Sequence, residues 1–140
     1  MTWTLLPFHS ADQARAQEVI KSAKKHLNPV LPPEQRGLYL ATSQGGVAMA
    51  VSFWKEALAQ TPRFASPADF PRTLSNAPAS EIARGLVLRG PNHSFVGEDD
   101  AVKAALEEGA KDLEKGVIKE ALIVAFDIAQ TCKFRVLCRE

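Results

Sequence analysis

The feature that most constrains the fold is an uninterrupted apolar run at residues 121–126, which read ALIVAF. Six consecutive apolar residues leave a strand without a polar face, so other elements must cover such a strand on both sides. Strands of this kind occur where helices pack on both faces of a sheet. The run therefore predicts an α/β domain in which residues 120–127 form a central strand.

The rest of the sequence alternates between short β-rich runs and helical stretches, which is typical of a layered α/β domain. We predict further strands at residues 2–8, 37–43, 93–96 and 131–139, helices at 10–26, 47–60, 77–84 and 99–115, and a proline-rich surface connection at 61–72. At 140 residues the chain is long enough for one such domain. The expected architecture is a single domain over residues 1–140, with a mixed sheet of about five strands flanked by helices.

Individual residues predict how these helices begin, end and face. Ser10 and Asn76 stand where a side chain caps the first helical amides, and Gly85 stands where a left-handed residue ends a helix. The helix at 47–60 has an apolar stripe, which predicts that this face packs against the sheet. The stripe consists of Val47, Ala50, Val51, Trp54 and Leu58.

Charge and hydropathy argue against two classes of partner. The formal net charge is +1, from 17 basic and 16 acidic residues, so there is no basic stripe of the kind that binds nucleic acid. The opening sequence MTWTLLPFHS does not resemble a signal peptide, and no apolar run reaches the ~18 residues of a membrane span. We expect a cytoplasmic protein that binds neither nucleic acid nor membranes.

The two cysteines, Cys132 and Cys138, fall on one predicted strand. A straight strand would separate them by about 20 Å at ~3.3 Å per residue, which is too far for a disulfide. Neither belongs to a Cys-x-x-Cys pattern or has a histidine at a pairing distance along the sequence. We expect buried thiols rather than reactive ones.

Three segments of the sequence resemble the N-terminal domain of β-ketoacyl synthases, in the thiolase-like superfamily. They are LYLATSQGG, FPRTLSNAPASEIARGLVLRGPN and LEKGVIKEALIVAFD, and the resemblance covers roughly residues 37–128. It places Phe70, Asn76 and the pair Gly90-Pro91 at positions of the family pattern. The resemblance implies a thiolase-like half-fold, in which a short strand leads through a tight turn into a buried helix beginning near Asp99.

In that family the tight turn carries the nucleophilic cysteine, nine residues after the glycine that corresponds to Gly90. This sequence has Asp99 there, between Glu98 and Asp100. A carboxylate gains the same stabilisation from a helix N-terminus as a thiolate but is a poor acceptor of an acyl chain. The 140 residues also do not include the family's second half, which carries two catalytic histidines. The resemblance therefore implies no condensation activity, and a chain-length-factor-like partner or binding protein in fatty-acid, polyketide or aryl-polyene assembly.

The resemblance also implies how such a protein associates. In ketosynthases the strand before the nucleophile turn pairs with its counterpart across the dimer two-fold. The corresponding residues here are Asn92, His93, Ser94, Phe95 and Val96. An exposed strand edge needs such a cover. We expect a homodimer or a heterodimer with a ketosynthase, an acyl carrier protein as a further partner, and no cofactor or metal.

The residues around Asp99 leave two other interpretations open. His93 could act as a base oriented by Asp99 or Glu98, in a small acyl-thioester hydrolase or decarboxylase with Ser94 as the nearest hydroxyl. The carboxylates of Glu98, Asp99 and Asp100 could bind a hard cation, although helix capping explains them more simply.

The turn at residues 43–46, SQGG, leads from a strand into a helix, a geometry that can bind phosphate on backbone amides. It matches neither a dinucleotide-binding pattern nor a P-loop. We interpret its glycines as residues that let the strand and the helix approach closely.

Overall fold

The computed structural model of the protein describes residues 2–59 and 74–139, except for the side chains of residues 48 and 49. The predicted connection at 61–72, with Phe70, lies outside the described residues. The described residues form five strands: β1 Thr4–Leu6, β2 Arg36–Thr42, β3 Asn92–Val96, β4 Glu120–Ile128 and β5 Thr131–Cys138. They also form four α-helices: α1 Asp12–Ala23, α2 Val47–Ala59, α3 Ala77–Leu86 and α4 Asp99–Glu114. Among these helices none has both the length and the hydrophobicity needed to cross a membrane.

The five strands form one mixed sheet in the order β1-β5-β4-β2-β3. β2 is parallel to both β3 and β4, whereas β5 is antiparallel to its neighbours β4 and β1. β4 lies at the centre, and all of its residues are buried. This confirms that the run ALIVAF forms the central strand.

Helices cover both faces of the sheet, α1 and α3 on one face and α4 on the other. Because side chains alternate along a strand, each inner strand contributes to both layers. Leu40 and Val124 pack with α1 and α3, whereas Tyr39 and Ile123 pack with α4. The predicted class, a mixed five-stranded sheet flanked by helices, is confirmed.

Helix α4 lies close to the sheet because its inward-facing residues are small. Ala105 and Gly109 are buried, and a Cβ atom added at Gly109 would lie 2.7 Å from Ile123 Cδ1. The outer face of α4 carries exposed charges, among them Lys103 and Glu107. The helix that the resemblance predicts to be buried is therefore buried along one face only.

The prediction that α2 packs its apolar stripe against the sheet is wrong. Val47, Val51, Trp54 and Leu58 are 47–83% exposed. The buried layers on the two faces of the sheet are formed with α1, α3 and α4, and in the described part of the chain no residue of α2 belongs to either layer.

Two predicted N-terminal caps are also wrong. The N-cap of α1 is Ala11, and the chain before it is held instead by Arg15, whose guanidinium donates to the carbonyl oxygens of His9 and Ser10. Asn76 is the N-cap of α3, but its side chain makes no capping hydrogen bond.

The left-handed residue that ends α3 is Val87, with φ 55°, and not Gly85. Gly85 lies inside the helix, where a Cβ atom would lie 2.6 Å from Ile20 Cδ1. The glycine serves the contact between α3 and α1 rather than the backbone conformation at the helix end.

Candidate functional site

Strand β3 is an open edge of the sheet in the described part of the chain. It pairs with β2 on one side, in a parallel register that sets His93 beside Tyr39. Asn92, His93 and Val96 are exposed, Val96 by 63%, whereas Ser94 and Phe95 are half-buried. The strand that the sequence predicts as an interface therefore lies where its backbone can pair with a further strand.

The turn from β3 into α4 places three exposed carboxylates at the helix N-terminus. Glu98 is the N-cap, and Asp99 and Asp100 lie in the first turn. Asp100 Oδ1 accepts a hydrogen bond from the Glu98 backbone N–H at 2.9 Å, and Ser43 Oγ donates to Glu98 Oε1 at 2.7 Å. The Glu98 side chain itself makes no capping hydrogen bond. The capping interpretation is therefore confirmed for Asp100, which accepts from a free N–H group at the helix start, but not for the side chain of Glu98, and the charges lie where the helix dipole favours them.

The structure does not bring His93 and Asp99 together. A ring nitrogen of His93 lies within 4.8 Å of carboxylate oxygens of Glu108 and Asp112, in the C-terminal half of α4. Nine residues of helix separate Asp99 from Glu108, which is about 13 Å at ~1.5 Å per residue. Ser94 follows His93 in the strand, so its side chain points to the opposite face, and its buried Oγ has no hydrogen-bond partner among the described residues. The groups of the hydrolase hypothesis are therefore dispersed.

Tyr39 contacts two members of the cluster formed by His93, Glu108 and Asp112. Its buried ring stacks on the His93 ring, with centroids 5.6 Å apart and planes inclined by 19°. Its hydroxyl donates to Asp112 Oδ2 at 2.6 Å. Burial, followed by the hydrogen bond and the charge of Asp112, raises the pKa of Tyr39 well above its usual value. Tyr39 is therefore a neutral donor that holds Asp112 in one orientation.

The sequence predictions missed Tyr39, Glu108 and Asp112. The sequence does contain one signal for the two carboxylates: Glu108 and Asp112 are four residues apart and therefore lie on one face of the predicted helix. Such pairs are common on solvated helix faces. Only the packing of α4 on β2 shows that Asp112 is 9% exposed and beside a tyrosine.

A second polar cluster fixes the turn after β2. The four backbone N–H groups of residues 43–46 all donate to side-chain oxygens, two to Asp127, one to Thr42 Oγ1 and one to Asp12. These donors are occupied, and two of the acceptor residues are anionic, so the turn is unsuited to phosphate. Gly46 has φ 81°, a conformation that favours glycine. The structure supports the interpretation of this turn as a structural feature.

The two cysteines lie on β5, which β4 and β2 separate from β3. Both are free thiols, Cys132 buried and Cys138 exposed. Burial raises the pKa of Cys132 to about 12 and also raises the pKa of Cys138. Neither is a thiolate near neutral pH. The absence of a disulfide is as predicted, whereas the prediction that both thiols are buried is wrong for Cys138.

Comparison with known proteins identifies the fold. No family model matches the sequence. No curated protein matches it either. Among solved structures, the chain is similar to one described as "The ishigamide ketosynthase/chain length factor", with a TM-score of 0.62 and 19% sequence identity over 76% of this chain. The fold is ketosynthase-like. The likeness agrees with the fold that the sequence resemblance predicts, and the chain spans 30% of the length of that protein.

Proposed function

We propose that the protein is a non-catalytic, chain-length-factor-like subunit that pairs with a ketosynthase, or with a second copy of itself, in fatty-acid, polyketide or aryl-polyene assembly. The observation that carries this proposal is the open β3 edge of a ketosynthase-like fold. An acyl carrier protein is a further partner under the same proposal.

The two edges of the sheet differ in what they offer a partner. β3 has five residues, whereas β1, at the opposite edge, has three. Helices α3 and α4 both pack beside β3, so a strand added there would extend the sheet between two existing helical layers. A longer edge, flanked by helices, favours β3 as the surface on which sheets from two chains join.

The chemistry of the turn before α4 supports a role without catalysis. The sequence resemblance places Asp99 at the position of the family's nucleophile, and in the structure Asp99 is exposed, beside Glu98 and Asp100. Both sulfur nucleophiles are on β5, with raised pKa values. The hydrolase and decarboxylase hypotheses lose support because His93 faces Glu108 and Asp112 instead of Asp99.

The test is association with the ketosynthases and acyl carrier proteins encoded by adjacent genes, measured by co-purification and by light scattering after size-exclusion chromatography. Val96→Lys adds a charge to the proposed interface, and Val30→Lys adds the same charge at an 86% exposed position outside it. We expect the wild type and Val30→Lys to form a dimer or a heterodimer, and Val96→Lys to associate at least about tenfold more weakly.

Two outcomes would contradict the proposal. One is a wild-type monomer that captures neither a ketosynthase nor a carrier protein. The other is a Val96→Lys variant that assembles as well as Val30→Lys. Acyl-thioester turnover that His93→Ala abolishes without unfolding the chain would instead establish an enzyme.

A further inference from the structure

We propose that His93, Glu108 and Asp112 form a binding site for a divalent transition-metal ion, of which zinc best fits the donor atoms. The site lies between β3 and the C-terminal half of α4. It shares His93 with the proposed β3 interface, but all three donors belong to this chain, so zinc binding is tested separately from association with a partner.

The three side chains offer donors at a spacing that a metal ion can bridge. One ring nitrogen and two carboxylate oxygens all lie within 4.8 Å of one another. Ligands bound to zinc at ~2.1 Å in tetrahedral geometry lie about 3.4 Å apart. His93 is exposed and Glu108 is half-buried, so small rotations of these two side chains would close the remaining gap while Asp112 stays in place.

The charges at the site lack a fixed counterion. Glu108 and Asp112 lie four residues apart on one helix face, a spacing at which like charges repel. Within residues 2–59 and 74–139 the ion pairs shorter than 4.0 Å are His9–Glu18 and Arg15–Asp12. No lysine or arginine of this part of the chain therefore forms an ion pair of this length with Glu108 or Asp112, and a divalent cation would bind both carboxylates directly.

The surroundings of the site orient its donors, as outer groups do at protein metal centres. Tyr39 donates to Asp112 Oδ2 and stacks on the His93 ring, so one side chain positions two ligands. Gly37 makes room for Tyr39, because a Cβ atom there would lie 2.9 Å from the Tyr39 hydroxyl oxygen.

The donor set distinguishes between metals. Imidazole suits zinc and neighbouring transition metals, whereas magnesium and calcium prefer oxygen donors alone. Three protein ligands would leave a coordination position open on the exposed side of His93, for water or for a group from a bound partner.

The test is isothermal titration calorimetry, in which zinc chloride is added to the tag-free protein in a buffer with excess magnesium. A Cys138→Ala background removes the exposed thiol as a competing ligand. We expect one zinc ion per chain, at least about 100-fold weaker binding in His93→Ala and Glu108→Gln, and about 10- to 100-fold weaker binding in Tyr39→Phe.

The matched control is His9→Ala, which removes a histidine that also lies beside a carboxylate, Glu18, but outside the proposed site. It should bind zinc as the background does, and circular dichroism should show that every variant is folded. The proposal is overturned if the background protein binds no zinc, or if folded His93→Ala and Glu108→Gln bind it as tightly as His9→Ala.

Discussion

The two ends of helix α4 carry the same kind of residue in different surroundings. At the N-terminal end, Glu98, Asp99 and Asp100 are exposed, the Asp100 carboxylate accepts from the Glu98 backbone, and the Glu98 carboxylate accepts from Ser43. Toward the C-terminal end, Asp112 is buried and bonded to a tyrosine. The family resemblance directs attention to the first end, whereas the packing brings Tyr39, His93, Glu108 and Asp112 together at the second.

The difference arises from what lies beneath the helix. The C-terminal half of α4 packs over β2 and β4, where Gly109 brings it into contact with Tyr39 of β2 and Ile123 of β4. At the N-terminal turn, by contrast, residues 98–100 are all exposed. The burial and the hydrogen-bond partner of a carboxylate on α4 therefore depend on the layer that it faces and not on its place in a motif.

The largest expected effect comes from removing the side chain that organises the C-terminal end. Tyr39→Ala should lower the free energy of unfolding by about 3–5 kcal/mol, because it leaves a cavity beneath α4 and an unpaired Asp112. Asp99→Ala should lower it by less than about 1 kcal/mol. Urea denaturation followed by circular dichroism measures both.

If Tyr39→Ala does not fold, Tyr39→Phe keeps the ring and removes the hydroxyl alone, at an expected loss of about 1–2 kcal/mol. If Tyr39→Phe and Asp99→Ala lowered the free energy of unfolding equally, the proposed difference between the two ends of α4 would be contradicted.

Alkaline pH provides a second contrast. The pKa of Tyr39 is raised in the folded chain, so the unfolded chain loses the phenol proton first, from about pH 10. The stability that Tyr39 contributes is therefore fully present below pH 10 and falls by up to about 1.4 kcal/mol per pH unit above it.

Tyr39→Phe should lack this component of the decline, and the difference between the two urea curves isolates it from lysine titration. Tyr39 is the one tyrosine of the chain, so phenolate absorbance reports its ionisation directly. A phenolate that forms near pH 10 in the folded protein would show that the buried hydrogen bond is absent.

Much of the fold was predictable because each element carries its own periodic signal. The central position of β4 follows from ALIVAF, and the alternation of β5 follows from Cys132, Phe134 and Val136, all of which are buried. What failed was the assignment of each surface to a neighbour. The stripe on α2 is apolar, but nothing local to it shows that α1, α3 and α4 fill both faces of the sheet.

The candidate site was less predictable than the fold. His93 lies 54 residues after Tyr39 and Asp112 lies 73 residues after it. Only the parallel pairing of β2 with β3 under α4 brings the three residues together. The C-terminal end of α3 also could not be predicted from the local sequence. Gly85 is used for a contact with Ile20, which is distant in sequence, and Val87 takes the left-handed conformation instead.

The smallest expected effects sharpen the contrast because they differ in sign. In buffer with a chelator, Asp99→Asn should destabilise the protein by about 0.3–1 kcal/mol, because a negative charge is favourable at a helix N-terminus. Glu108→Gln should stabilise it by about 0.2–0.5 kcal/mol, because it relieves repulsion from Asp112 in the half of the helix where negative charge is disfavoured. Both effects should shrink in 1 M salt, most strongly for the exposed Asp99. Urea midpoints at low and high salt measure them, and a Glu108→Gln variant less stable than the wild type would mean that this carboxylate already has a favourable partner.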